Sequence, residues 1–189
     1  PFAHALVHDI SVIVNDPEVK IVVETMGGDK PAYTFVKECL LAGKSVTTSN
    51  KEMVANHGPE LVQIAKDKNT NFFFEASVGG AIPIIRPINE SFSADEILEI
   101  RGIINGTTNY ILTKMTEDGA SYEDVLKDAQ DKGFAEKDPT ADVEGIDVAN
   151  KLSILMALAF DTYVPPTEIP ALLAISDRLM PISLSLLSI

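Results

Sequence analysis

The chain has 189 residues and a formal net charge of -13, with a sequence pI near 4.5. The phosphate backbone of a nucleic acid or an anionic membrane surface would therefore repel it at long range, which favours a small molecule or another protein as partner. Hydrophobic residues make up 46% of the chain, enough for one ordinary domain or two small ones sharing a surface. Cys39 is the single cysteine, which excludes an internal disulfide and agrees with a reducing compartment. No apolar run approaches the roughly 18 residues of a membrane span, and no basic start followed by an apolar stretch reads as a signal peptide. The expectation is a soluble, cytoplasmic protein.

"DPEVKIVVETMGG" (Asp16 to Gly28) is a short apolar run between a proline and a glycine pair, the pattern of a strand buried on both faces. "KPAYTFVKECLLAGK" then spaces Ala32, Phe35, Val36, Cys39 and Leu40 at helical intervals, with Pro31 near its start and Gly43 where a left-handed cap belongs. "KSVTTSN" predicts a second strand, "GPELVQIAKDKN" a helix opened by Pro59, and "NFFFEA" a third strand. Strand, helix, strand, helix, strand is the rhythm of an α/β parallel sheet.

Beyond Gly80 the rhythm changes. "EILEIRGIIN" (Glu96 to Asn105) alternates as a strand with one wet face. Helices follow at "GTTNYILTKMTEDG", at "SYEDVLKDAQDKG" with a Ser121 and Asp124 pair resembling a capping box, and from about Asp142 to Phe160, where "VPPTE" stops the last one. The pattern places a boundary near residues 76 to 82, dividing the chain into an α/β domain over residues 1–77 and an α+β domain over residues 78–189. The apolar tail "LLAISDRLMPISLSLLSI" follows neither period cleanly and receives no assignment.

The densest chemistry lies in "AEKDPTADVEGIDVANK", residues 135 to 151. With Asp147 set at zero and 100° per residue, Lys151 falls at about 40°, between Ile154 at about -20° and Leu155 at about 80°. The lysine thus sits inside the apolar stripe of its helix. An exposed i, i+4 pair would be worth only about 0.3–0.5 kcal/mol. A core-facing lysine is different, because burial disfavours its charge while a neighbouring carboxylate restores it, and that balance tunes a lysine for proton transfer. Upstream, Asp138 with Pro139 can open a helix, with Asp142 and Glu144 complementing its dipole. Glu136 has no such explanation and could hold a cationic group.

"FFFEASVGGAIPIIRP" has two readings, a tight interdomain crossover or a loop whose carbonyls hold a cation. "VETMGG" and "TTSNK" each end a strand, where ligands bind in open α/β sheets. Lys51 there could reach a phosphate or carboxylate, or could be a solvated loop charge. His4, His8 and His57 form no metal spacing, and Cys39 faces the apolar side of its helix, as a core residue would.

Taken together and in this order, "VVETMGGDKPA", "TTSNKEMVANHG", "EASVGGAIPIIRP", "INGTTNYILTKM" and "GFAEKDPTADVEGIDVANKLSIL" closely resemble homoserine dehydrogenase, over about Asp9 to Glu168. The resemblance implies NAD(P)-dependent interconversion of L-homoserine and L-aspartate 4-semialdehyde on the route to threonine and methionine. It also implies a Rossmann domain joined to an α+β substrate domain that dimerises through its sheet. It makes Lys151 the general acid and Asp147 the group that tunes it, gives Glu136 and Asp142 to the substrate's ammonium and polar groups, and gives Thr25 and Lys51 to the cofactor. The carbonyls of Glu75, Val78, Gly80 and Ile82 would hold a sodium ion.

Two departures shape these expectations. The family's GxGxxG turn is absent, and with it the residue that discriminates NAD from NADP, so either cofactor is expected. After "YVPPTEI" the tail does not resemble the family's returning strand. An interior piece of the enzyme with an atypical end is one reading; a noncatalytic, dimerising fragment with an incomplete cofactor site is the other. A semialdehyde dehydrogenase working through a cysteine thioester is disfavoured by the setting of Cys39.

Overall fold

The computed structural model describes residues 6–170. Three parallel strands, β1 (Ile21–Glu24), β2 (Ser45–Thr48) and β3 (Phe72–Phe73), lie in the order β1-β2-β3, with Val23, Thr47 and Phe73 in one row. A short helix α1 (Ile10–Asn15) precedes them. The crossovers are α2 (Ala32–Leu41) and α3 (Lys51–Asp67). The expected α/β layer is thus present, and Gly43 closes α2 in the left-handed region at φ +77°.

The strands are not buried on both faces, as their apolar runs suggest. Each new strand is added on the same side of its predecessor, and right-handed crossovers then carry both helices to one face. Val46 is fully buried beneath them, whereas Ile21, Val23 and Phe73 on the other face are 68%, 65% and 59% exposed. The core is made by Ala32, Val36, Cys39 and Leu40 of α2 with Met53, Val54 and Leu61 of α3.

Helix α3 begins eight residues before Pro59. Asn50 caps it by accepting from the Met53 amide, and Pro59 lies within it. A proline there cannot donate to the carbonyl one turn back, on Ala55. That carbonyl faces the Ser153 hydroxyl at 3.5 Å, and the Tyr163 hydroxyl donates to the next carbonyl, that of Asn56, at 3.1 Å. The single hydroxyl proton of Ser153 goes to the Val164 carbonyl at 2.6 Å, so the donor supplied beside this break is Tyr163, on Asn56.

After β3 the chain makes a 3-10 turn (Glu75–Ser77) and a π-helical turn (Pro87–Ser91). Glu96 to Asn105 forms no helix and no strand, so the expected strand with one wet face is absent among the described residues. Ile97 and Ile100 pack against the core while Leu98 and Ile103 are 82% and 76% exposed, so packing follows a spacing of three where alternation predicts two. Helices α4 (Gly106–Asp118) and α5 (Tyr122–Asp131) form as expected, with Ser121 capping the Asp124 amide. The expected long helix is two helices, α6 (Thr140–Val143) and α7 (Ile146–Ala159), separated by Gly145 at φ +78°. Asp138 turns the chain before α6 by accepting from both the amide and the hydroxyl of Thr140.

Helix α7 packs along α3, and Ile154 and Leu155 join the core of the α/β layer. This is what places the acidic segment beside the carboxyl ends of the strands. Among the described residues no helix is long and apolar enough to cross a membrane. The unassigned tail from residue 171 and His4 lie outside the described residues.

Candidate active site at the junction of the sheet and helix α7

A cavity of about 570 Å³ opens where the N-termini of α3, α4 and α7 converge. Its walls include Lys51, Asn105, Thr107, Tyr110, Asp142, Asp147 and Lys151. Asp147 lines it and is 3% exposed. It lies in the first turn of α7, where the helix dipole favours a negative charge. One carboxylate oxygen, Oδ1, accepts from Lys51 Nζ; the other, Oδ2, pairs with Lys151 Nζ at 2.7 Å and accepts from Asn105 Nδ2 at 3.0 Å. Burial opposes the charge on Asp147, yet the hydrogen bonds from Lys151, Lys51 and Asn105 outweigh it and hold the carboxyl below its ordinary value of 3.8.

The expectation that Lys151 faces inward is met: its side chain is 13% exposed. Nζ donates to the Ile104 carbonyl at 2.6 Å as well as pairing with Asp147. An ammonium has three N–H bonds, so two are held by the protein and one is free to face the cavity. Lys51, 41% exposed, comes from the first turn of α3. Sequence reasoning assigned it to the cofactor cleft; the fold also brings it onto Asp147, 96 residues away.

Asp142 enters the same cluster, accepting from Asn105 Nδ2 at 2.8 Å. Glu136 does not. It is exposed on the loop after α5, outside the cavity lining, where its main-chain carbonyl accepts from Gln130. Thr25 is exposed at the carboxyl end of β1. Beside it, buried Glu24 accepts from the Thr48 hydroxyl and the Met26 amide. The Thr48 oxygen accepts from the Asn50 amide, and Asn50 Nδ2 donates to the Gly28 carbonyl at 2.7 Å. The ends of β1 and β2 are thereby tied into one surface.

Around Glu75, Oε1 accepts from the Ile84 and Ile85 amides and Oε2 from the Arg86 amide, at 2.6–2.8 Å. Burial works against its charge, but these three bonds lower its pKa overall. The carboxylate is thus anchored to three consecutive backbone amides of its own loop. Val78 is buried, whereas Gly80 and Ile82 are exposed. A Cβ on Gly79 would lie 2.8 Å from the Ile82 carbonyl oxygen, so the turn needs glycine. Among the described residues, no group of three His, Cys, Asp or Glu side chains could hold a metal ion. Cys39 is fully buried, and burial raises its thiol, which suits a core residue.

Asn105 was missed as a site residue. Asparagine before "GTT" is a helix-cap signal, and it does cap α4 through the Thr108 amide. Its second role depends on contacts 37 and 42 residues away, which no local pattern carries. Tyr110 and Thr107 were missed for the same reason: Thr107 donates to the Phe134 carbonyl, and Tyr110 stacks edge-on against the Phe134 ring.

Residues 83–177 match the family model described as homoserine dehydrogenase, and residues 3–75 match its NAD binding domain. A homoserine dehydrogenase of Bacillus subtilis is 46% identical over 159 residues, which is 84% of this chain and 37% of the relative. The crystal structure of a homoserine dehydrogenase from Thiobacillus denitrificans superposes with a TM-score of 0.77 at 48% identity, covering 81% of this chain and 36% of that one. A hyperthermophilic archaeal homoserine dehydrogenase in complex with NADPH gives a TM-score of 0.77 at 33% identity, over 82% of this chain and 48% of that one. The chain therefore spans between about a third and a half of the relatives it matches. Two consecutive family models, relatives approaching half identity and the parallel sheet joined to α7 agree: the chain belongs to the homoserine dehydrogenase family.

Proposed function

We propose that this chain carries the proton-transfer and substrate end of a homoserine dehydrogenase, which interconverts L-homoserine and L-aspartate 4-semialdehyde in threonine and methionine biosynthesis. The observation that supports this most is the buried Asp147 held between Lys51 and Lys151 at the cavity. A nicotinamide cofactor, NADP or NAD, supplies or takes the hydride when bound. Lys151 donates its free N–H proton to the aldehyde oxygen in reduction and takes the hydroxyl proton in oxidation. Asp147 orients that ammonium and stabilises its charged form, and Lys51 keeps Asp147 ionised.

Asp142, whose carboxylate is in the cavity, binds the substrate ammonium, joined by Glu136 from the loop two residues beyond Phe134 of the cavity wall. Thr25 and Lys51 contact the cofactor. The ends of β1 and β2 are the strand ends at which α/β sheets bind such ligands, and α3 presents its N-terminus there. A sodium ion belongs to the same reading, on the carbonyls of Glu75, Val78, Gly80 and Ile82. Its support is that no backbone hydrogen bond among the described residues takes the carbonyls of Val78, Gly80 or Ile82. The division into residues 1–77 and 78–189 is supported by the end of the sheet at Phe73. A homodimer formed through Glu96 to Asn105 is supported by the exposure of Leu98 and Ile103. A cytoplasmic setting follows from the biosynthetic role.

In an intact enzyme carrying this segment, Lys151→Ala lowers kcat by roughly 10²–10⁴-fold, the size of a general acid's contribution. Near-normal turnover in that variant overturns the role of Lys151. A second reading is favoured by the open apolar face at Ile21, Val23 and Phe73, namely that the chain alone is a dimerising fragment with half a nucleotide site. Calorimetric titration with NADPH and NADH separates the two: micromolar binding contradicts the fragment reading, and no heat up to millimolar cofactor supports it.

A further inference from the structure

The side-chain amide of Asn105 touches both carboxylates of the cavity lining, Asp142 and Asp147. It is 6% exposed, and its orientation is set without ambiguity. Oδ1 accepts from the Thr108 amide and the Thr108 hydroxyl, both at 2.8 Å, so it must be the oxygen. Nδ2 then points the other way and donates one N–H to Asp142 Oδ1 at 2.8 Å and the second to Asp147 Oδ2 at 3.0 Å. All four hydrogen-bonding positions of this amide are filled.

The preceding residue completes the arrangement. The Ile104 carbonyl receives Lys151 Nζ at 2.6 Å, so two consecutive residues at the N-terminus of α4 hold both members of the Lys151 and Asp147 pair. Asp142 lies on α6 and Asp147 on α7, on either side of the left-handed Gly145. Two carboxylates on separate short elements would repel one another across a partly buried site. A neutral double donor between them satisfies an oxygen on each and fixes their separation.

We propose that Asn105 is a positioning residue that couples the substrate-side carboxylate Asp142 to the proton-transfer pair Asp147 and Lys151, so that a charge change at Asp142 is felt at Asp147 through one rigid amide. This rests on the roles proposed above for Asp142 and Lys151, although the coupling itself can be measured without either. Binding of a cationic group at Asp142 draws that carboxylate away from the amide, strengthens the remaining Nδ2 bond to Asp147, and so alters the hold of Asp147 on Lys151 only when substrate is present.

The test is NMR titration of the chain labelled with carbon-13 in its aspartates and nitrogen-15 in its asparagines, with no cofactor or substrate added. In the wild-type chain the Asn105 side-chain N–H resonances follow the Asp147 carboxyl carbon as it titrates, and D142N moves that titration; N–H resonances that ignore Asp147, or an unmoved Asp147 titration in a folded D142N chain, overturn the proposal. Two variants keep a good helix cap and remove the double donor. N105S shortens the side chain beyond reach of both carboxylates, and N105D puts a third carboxylate among them. In N105D the titration of Asp147 moves upward by about one pH unit or more, and in N105S by less. Unchanged Asp147 titration in a folded N105D chain overturns the proposal as well. In an intact enzyme, N105D displaces the pH profile of kcat, whereas loss of a helix cap alone lowers Tm and leaves the profile in place. Failure of the catalytic reading is recognised separately, as normal turnover by Lys151→Ala while the Asp147 titration still responds to N105D.

Discussion

Asp147 carries more of the chemistry than its position in a helix suggests, because it is ionised, nearly inaccessible and bonded to two lysines. Its folded pKa lies below 3.8, so the stability it contributes is fully present above about pH 5 and is lost as pH falls through the depressed value. Asp147→Asn, which leaves Lys151 partly buried without its anion, costs about 3 kcal/mol at pH 7. It also flattens the loss of stability below pH 4, since the group that must be protonated is gone; chemical denaturation at pH 3, 5 and 7 measures both effects. Wild-type and variant slopes that coincide between pH 3 and 5 contradict the assignment. The inward placement of Lys151 was legible in the sequence because residues on α7 obey a 100° period whatever they touch. The partnership of Asp147 with Lys51 was not legible, because the two are joined only by the packing of α3 on α7.

Elements differ from expectation where an end is decided by a contact made elsewhere. Pro59 reads as a helix start by local rules, yet α3 runs through it because Asn50 supplies an earlier cap and the Tyr163 hydroxyl donates to the Asn56 carbonyl beside the break. Ser153 is fully buried, and its hydroxyl donates to the Val164 carbonyl at 2.6 Å. Ser153→Ala therefore destabilises the fold by about 1–3 kcal/mol through the Val164 carbonyl left without its donor, as read by urea denaturation. Gly145 splits the expected long helix, and its left-handed backbone sets the angle at which Asp142 of α6 meets Asp147 of α7. Gly145→Ala strains that turn by about 1–2 kcal/mol, and in an intact enzyme KM for the amino acid should rise more than kcat falls. A change in kcat alone would show that the turn serves the lysine and not the substrate side. Helices α4 and α5, by contrast, match expectation, since their caps and apolar spacing are local.

For the whole molecule, the sheet has one finished face. Ile21, Val23 and Phe73 form an exposed apolar surface on short strands, and such a surface favours association. Replacing Phe73 with Lys lowers light scattering of the concentrated chain and changes stability by no more than about 1 kcal/mol, because that side chain has little burial to lose. Unchanged scattering would place the adhesive surface elsewhere. Composition and periodicity were enough to establish an acidic α/β chain, helices α2, α4 and α5 and the inward lysine, because the periodic features among these are encoded within a turn of helix or a pair of strand residues, while the quoted motifs carried the family resemblance. Which strand face is covered, where α3 and α7 begin, whether Glu96 to Asn105 finds a partner, and that Lys51, Asn105, Asp142, Asp147 and Lys151 share one cavity while Glu136 stays outside were decided by the tertiary structure. Those features depend on residues tens of positions apart, and only the packing of α7 against α3 brings them within hydrogen-bonding distance.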